Sequence, residues 1–376
     1  MTAWRLCSLV ASSMRHHAPS RSRGYGYPMT DPARDPVADL RRIAFLLERA
    51  HEATYRVRAF RSAAAAVAKL PPDELRERAT AGTLKKLPGI GDVTARCVAE
   101  SLEGEEPVYL RRLEATAGTS VDEAGSALRA LLRGDCHTHS DWSDGGSPIR
   151  EMAEAARSIG HEYVVLTDHS PRLTVANGLS ADRLRRQLDV VAELNEELAP
   201  FRILTGIEVD ILEDGSLDQE DELLDRLDLV VASVHSKLRD PADKMTTRML
   251  AAIENPHTDV LGHCTGRLVT GREATGQGKR PESQFDADAV FAACAERGVA
   301  VEINSRPERL DPPKRLLRLA VEAGCHFAID TDAHAPGQLD WQPYGCARAA
   351  QCGVDPAQVV NAWAAEDLLA WTDRPR

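Results

Sequence analysis

From residue 134 onward, short apolar and β-branched runs alternate with stretches in which apolar positions recur every three to four residues. Seven short runs read as strands, at 135–139, 163–167, 203–209, 229–234, 260–262, 299–303 and 327–329, and stretches such as 149–158 and 183–197 read as helices between them. Repeated β-α units predict a parallel sheet, closed as a β/α barrel. Upstream the pattern differs. Over 39–50, Leu40, Ile43, Phe45, Leu46 and Leu47 share the run with Arg41, Arg42, Glu48 and Arg49, the spacing of an amphipathic helix. Alanine-rich segments follow, broken at Leu70-Pro71-Pro72 and at Leu87-Pro88-Gly89-Ile90-Gly91, with no alternating strand pattern. The predicted organisation is an amino-terminal extension (1–34), a compact all-α module (35–117), a glycine-containing linker (118–133) and a β/α barrel (134–376).

Composition narrows the class. The 376 residues are 43% hydrophobic and 28% charged, which suits a folded globular chain and excludes collagen-like or wholly disordered ones. Apolar runs such as 63–68 fall far short of the roughly 20 residues that a membrane crossing needs. Eight cysteines are scattered without a C-x-x-C pair, the usage expected of a reducing, cytoplasmic compartment. Residues 1–28 lack acidic residues and are rich in Arg and Ser, but the apolar stretch 6–11 is too short for a secretory signal; a mispredicted start or a disordered tail is expected.

The net charge of -12 is unevenly divided: residues 1–34 carry +4, 35–114 carry +1, and the remainder holds -17. A polyanion would be repelled by the barrel portion unless bound cations reverse the field locally. Candidate ligands for such cations stand at the strand ends. In order they are His137 and His139, Asp168 and His169, Glu208, His235, His263, then Asp332 and His334. Six of the twelve histidines occupy these ends, where β/α barrels assemble their active sites. A His-x-His on a strand puts both rings on one face. Clustered polar groups without partners would each cost on the order of 1–3 kcal/mol when buried, a cost that bound cations remove. Imidazole and carboxylate without thiolate suit Mn, Zn or Fe better than Mg or Ca. Such a cluster favours phosphoester hydrolysis by a metal-activated water.

The strings "GDCHTHSDWSDG", "LTDHS", "GIEVDIL.DG.LD", "ASVHS", "LGHCTGRL" and "AIDTDAH" resemble the polymerase and histidinol phosphatase (PHP) domain, in the version carried by bacterial family X DNA polymerases, over about 220 residues. The resemblance implies a distorted seven-stranded TIM-like barrel with three divalent metal ions. One would be held by His137, His139, Glu208 and Asp332, a second by Asp144, His169 and His334, and a third by Glu208, His235 and His263, with Glu208 bridging. Cys264 stands where the polymerase-linked relatives usually have Pro, read as a small loop change or an extra soft ligand. For substrate phosphate, Arg267 and Arg272 lead, followed by Lys237, Lys244, Arg248 and Arg306; Arg267 is counted with Glu208, His137, His139 and Asp332 as catalytic. Asp135 is placed to orient an imidazole, and Thr167 and Ser170 read as structural.

The string "LPGIGDVTARCVAE" is a helix-hairpin-helix signature, in which Gly89 and Gly91 let the turn approach a DNA backbone and the next helix start offers amides to a phosphate. With "AFRSAAAAVAKLP" and "TLKKLPGIG" it is similar to the amino-terminal lyase domain of family X polymerases. That family's Schiff-base lysine aligns with Cys97, so the expectation is sequence-independent backbone binding through Lys85, Lys86, Gly89, Gly91 and Arg96 without lyase chemistry. Only 16 residues, 118–133, lie where a polymerase would place its palm and fingers. The expected function is a metal-dependent phosphoesterase at DNA ends, a 3′-5′ exonuclease or 3′-end processing hydrolase in repair, without polymerase activity. The alternatives are a small-molecule phosphatase of the histidinol phosphatase kind and a non-catalytic DNA-binding scaffold.

Overall fold

The computed structural model describes residues 34–116, 122–270 and 278–373. The expected extension over 1–34 lies outside them except for Arg34, as does Arg272. From Arg34 onward the chain forms one compact unit.

Its first part is helical: α1 (Pro36–Arg49), α2 (Thr54–Val67), α3 (Pro72–Thr80), α4 (Asp92–Leu102) and α5 (Val108–Thr116). α1 starts where the sequence offers both start signals: Asp35 accepts the Val37 amide at 2.9 Å, and Pro36 takes a position whose N–H would have no helical partner. Leu40, Ile43, Ala44 and Leu47 are fully buried on its inner face, against Phe60, Val67 and Val98. Each such aliphatic side chain contributes about 1.5–3 kcal/mol of burial.

The second part is a seven-stranded parallel sheet: β1 (Gly134–Thr138), β2 (Tyr163–Leu166), β3 (Arg202–Asp210), β4 (Leu229–Ser233), β5 (Val260–Leu261), β6 (Ala300–Glu302) and β7 (Phe327–Ala328), paired in sequence order. The strand positions agree with the sequence reading to within a few residues. The sheet curls as a distorted barrel, with the seam between β1 and β7 held mainly by side chains rather than a ladder. Asp330 Oδ1 accepts the Cys136 amide at 2.8 Å, Thr331 Oγ1 donates to Asp135 at 2.5 Å, and the His139 amide reaches the Ala333 carbonyl at 2.8 Å. Asp135 therefore closes the barrel and braces the His137 amide at 3.2 Å; it does not orient an imidazole as expected. Helices α7 (Ile149–Ser158), α8 (Ala181–Leu198), α9 (Asp221–Leu224), α10 (Ala242–Glu254), α11 (Ala287–Arg297), α12 (Lys314–Glu322), α13 (Gln342–Cys352) and α14 (Ala365–Thr372) complete this part.

The expected linker 118–133 contains a helix, α6 (Glu123–Arg129). Asp122 caps it, and Leu128 and Leu132 enter the barrel core. The spacing of Gly125, Leu128 and Leu132 is helical, which the glycines obscured.

The helical part docks on the 3-10 segment Pro336–Trp341, just past His334. There Glu48 of α1 accepts the Gly337 amide at 2.9 Å and both Arg61 donors at 2.7 and 2.9 Å. A Cβ on Gly337 would lie 2.1 Å from the Phe45 carbonyl, so only glycine permits this approach. Among the described residues, no helix is long and apolar enough to cross a membrane.

Candidate metal centre

The period of two along β1 points His137 and His139 to one side, and both are fully buried. His169 follows β2, Glu208 lies within β3, His235 and His263 follow β4 and β5, and Asp332 and His334 follow β7. Asp144 arrives from the loop after β1. Asp168 holds that loop, accepting the Ser140 amide at 2.8 Å, the Ser140 hydroxyl at 2.6 Å and the Gln187 amide at 2.6 Å.

Glu208, 1% exposed, is the hub. Its Oε2 lies 3.3 Å from His137 Nε2, 3.6 Å from His139 Nε2 and 2.8 Å from His169 Nδ1. Its Oε1 lies 3.2 Å from His235 Nε2 and 2.8 Å from His263 Nε2. Asp144 Oδ1 is 3.4 Å from His169 Nε2 and 3.2 Å from His334 Nε2, and Asp332 Oδ1 is 3.7 Å from His139 Nε2. All nine expected ligand residues thus gather in one place. Three groups bring ligand atoms within 4.8 Å of one another: His139, Asp144, His169 and His334; His137, His139 and Glu208; and His169, Glu208 and His235. Relative to the expected third set, His169 replaces His263 beside His235; His263 still faces the same Glu208 oxygen.

The donor set fits cations. Buried ring nitrogens of His137, His139, His169, His235 and His263 have no hydrogen-bond partner, a state that would cost roughly 1–3 kcal/mol each if they stayed unligated. Burial, with His334 and His169 alongside, holds His139 well below the ordinary imidazole pKa, so that ring is a neutral lone-pair donor. Burial alone would protonate Glu208, yet His137, His235 and His169 hold it well below the carboxylate range. Asp332 is kept ionised against burial by Arg306 and Arg309, and its backbone is in the left-handed region, φ 53. Strain of that kind concentrates at functional sites.

Two groups at this centre escaped the sequence reading. Glu302, on the one strand that offered no ligand, lies 2.6 Å from His137 Nδ1 and accepts the His263 amide. A carboxylate on the far nitrogen of a ligand imidazole fixes its tautomer and orientation. Glu302→Gln should weaken divalent-metal affinity about 10–100-fold with little change in fold; titration calorimetry with Mn²⁺ checks it, and an unchanged affinity would remove Glu302 from that role. The signal for Glu302 was an acid inside an otherwise apolar strand.

Arg309 is the other. Its Nε pairs with Asp332 Oδ2 at 3.0 Å, while Nη1 has no hydrogen-bond partner. Arg306 Nη1 contacts Asp332 Oδ1 at 3.0 Å and its carbonyl at 2.8 Å. Arg267, expected as the leading phosphate contact, is committed elsewhere: Nε donates to the Arg309 carbonyl at 3.0 Å, Nη2 to the Leu310 carbonyl, and Nη1 to Glu282 at 3.3 Å. It shapes the loop that carries Arg309. Arg248 likewise binds the Ile211 and Ser236 carbonyls, Lys244 pairs with Asp240 at 3.2 Å, and Lys237 is exposed. Thr167 and Ser170 make structural hydrogen bonds, Thr167 to Thr138 and Ser170 to Asp218. The Cys264 thiol faces Asp311, not the histidines.

Lys85, Lys86, Gly89 and Gly91 in the hairpin before α4, and Arg96 within α4, are all exposed. Gly89 needs its positive φ of 84, and a Cβ there would press on Ser62 at 3.3 Å. Gly91 is extended, caps α4 with Thr94, and faces open space. Lys85 pairs with Asp92 at 2.5 Å. Cys97 is buried in the helical core, and burial followed by Glu100 pushes its thiol up to about 11.

Residues 135–306 match the PHP domain family, and residues 31–107 match a helix-hairpin-helix domain. Over 262 residues the chain is 40% identical to a Bacillus subtilis protein named DNA polymerase/3'-5' exonuclease PolX, covering 69% of this chain and 45% of that one. The chain therefore spans about half the length of that relative. A probable phosphatase of Thermoanaerobacter sp. is 30% identical over 211 residues, 53% of this chain and 78% of that one. A solved histidinol phosphate phosphatase of Lactococcus lactis, complexed with zinc, L-histidinol and phosphate, overlaps 60% of this chain and 95% of its own at 19% identity and a TM-score of 0.44, too loosely to carry an argument.

Proposed function

From the premise that this chain belongs to the PHP domain family and carries a helix-hairpin-helix domain ahead of it, we propose a metal-dependent phosphoesterase that hydrolyses phosphodiester bonds at DNA ends. The reading covers 3′-5′ exonuclease action or 3′-end processing in repair. The observation that carries it is Glu208, ionised and buried among five imidazoles, each of which keeps at least one buried ring nitrogen without a hydrogen-bond partner. In this proposal three divalent ions, Mn, Zn or Fe, are held by the nine residues His137, His139, Asp144, His169, Glu208, His235, His263, Asp332 and His334. When bound, such ions supply an activated water and neutralise charge on the phosphoryl oxygens.

The chain's own residues do the rest. Glu302 holds the His137 ring, Asp210 lies 3.4 Å from His235 Nδ1, and Arg306 fixes Asp332. The unpartnered Nη1 of Arg309 donates to a phosphoryl oxygen. The hairpin of Lys85, Lys86, Gly89, Gly91 and Arg96 takes the DNA backbone without reading bases. The 16 residues 118–133 are too few for a nucleotidyl-transfer domain, so polymerisation is not part of the proposal. The seven described cysteines are free thiols, in keeping with a cytoplasmic location. A second reading, a small-molecule phosphomonoesterase, is favoured by the -17 charge of residues 115–376.

The deciding experiment gives the Mn²⁺-loaded protein end-labelled duplex, gapped and single-stranded DNA, histidinol phosphate and an aryl phosphate, with His139→Ala as control. Mononucleotide release that the control abolishes supports the first reading. Turnover of histidinol phosphate alone supports the second, and DNA binding without any hydrolysis leaves a scaffold. Gly91→Asp separates fold from docking. Aspartate is a better helix cap than glycine, and the position has open space, so thermal stability should hold or rise. The same carboxylate faces an approaching phosphate, so DNA affinity should fall about tenfold; equal affinity in a binding titration removes Gly91 from the interface.

A further inference from the structure

We infer that His51, a residue of the helical module, positions the metal centre of the barrel; the inference rests on reading that centre as a divalent-cation site. His51 follows the C-cap of α1 in the left-handed region, φ 55, a place glycine normally takes because a Cβ is unfavourable there. What its ring touches accounts for a histidine at this position. The imidazole lies flat on Trp341, with centroids 4.2 Å apart and planes within 1° of parallel, and its Nδ1 is 3.4 Å from Glu308 Oε1. Trp341 is fully buried, and its indole N–H donates to the Arg49 carbonyl of α1 at 3.0 Å.

Both neighbours lead to one guanidinium. Arg306 lies over the Trp341 ring at 5.7 Å, and its Nε is 3.7 Å from Glu308 Oε2. Its Nη1 reaches Asp332 Oδ1 at 3.0 Å and lies 3.2 Å from His334 Nδ1. Trp341 also ends the segment that begins just past His334, and Gln338 of that segment accepts the His334 amide at 2.8 Å. Two routes, a stacked pair and a carboxylate bridge, thus run from the end of α1 to the residue that holds Asp332. Loss of a residue that holds a ligand carboxylate typically lowers metal affinity about 10–100-fold. Docking of the helical module is in this way part of the construction of the site, and His51 is a positioning residue that touches neither metal nor substrate.

The test uses the full chain with His51→Gly, His51→Phe and, as control on the exposed start of α2, Tyr55→Ala. Glycine suits the left-handed backbone and removes the ring, so the module stays folded while the stack is lost. The expected result for His51→Gly is Mn²⁺ affinity about tenfold weaker by titration calorimetry. Its kcat on bis(p-nitrophenyl) phosphate should fall by a similar factor, with KM and DNA affinity unchanged. Phenylalanine keeps the stacked ring and should recover Mn²⁺ affinity to within about threefold of the native chain; Tyr55→Ala should match the native chain. Native Mn²⁺ affinity in His51→Gly overturns the inference, as does a loss of Mn²⁺ and DNA affinity together. If His51→Gly does not fold, His51→Asn, which also tolerates the left-handed region, is read by the same criteria. Native protein that binds Mn²⁺ but hydrolyses nothing would sink the phosphoesterase reading and leave the calorimetric comparison to decide on His51.

Discussion

Glu208→Gln should abolish tight Mn²⁺ binding and lower hydrolysis by about 10²–10⁴, the equivalent of losing several kcal/mol of charge stabilisation. Glutamine keeps the shape of the side chain but not the charge on which five rings converge. The same carboxylate controls proton traffic. Burial opposes a charged His169, but Glu208 at 2.8 Å, helped by Asp144, pushes its pKa up to about 10. His137 is likewise raised, by Glu208 and Glu302 against burial. Without metal these rings carry protons at neutral pH, and cations must displace them. The sign follows. The metal-free fold gains from protonated His169 below the unfolded value near about 6.5, and loses that gain as pH rises through about 10. Metal affinity should rise over the same interval. Calorimetry in two buffers of different ionisation enthalpy should record proton release on Mn²⁺ loading by the native chain. Native Mn²⁺ affinity in Glu208→Gln would remove Glu208 as the bridge.

Arg309→Met should cut kcat on a phosphodiester by about 10²–10³, the usual cost of deleting one preorganised donor to developing charge. Nη1 of Arg309 lacks a hydrogen-bond partner in a buried setting, and Asp332, Glu208, Asp311 and Glu302 together keep the guanidinium charged against desolvation. A charged guanidinium with an unpartnered Nη1 beside a cation site is equipped for an anionic oxygen. Mn²⁺ affinity should change little, because Arg306 still holds Asp332. Arg309→Lys should restore only part of the rate, since an ammonium lacks the planar fork. A variant that loses Mn²⁺ affinity and kcat in equal measure would make Arg309 a support for Asp332 instead. Retention of full kcat would exclude it from substrate contact.

How far the sequence reached is clear from particular residues. Apart from Asp144, which comes from the loop after β1, the expected ligands lie in or follow the carboxyl ends of strands, and alternation on a strand is a local rule that fixes which face a side chain takes. His137 and His139 were therefore legible, and so were α1, from its spacing over 39–50, and the turn that holds Gly89 and Gly91. Arg267 was misjudged because nearness in sequence to His263 stood in for nearness in space, whereas its guanidinium follows the carbonyls of Arg309 and Leu310. α6 was hidden because glycines at 118 and 125 looked like a break, although Gly125 is buried in the helix.

By itself, then, the sequence determined the helical and β-α parts of the chain, the positions of the strands and the ligand-type residues at their ends, because these depend on periodicities of two and three to four residues. Only the tertiary structure decided which oxygen of Glu208 each ring faces. It alone brought Glu302 to His137 across 165 positions, left Nη1 of Arg309 without a partner, and joined His51 through Trp341 to Arg306. Contacts between distant segments are selected by packing and charge balance within the closed fold, and no local pattern in the chain encodes them.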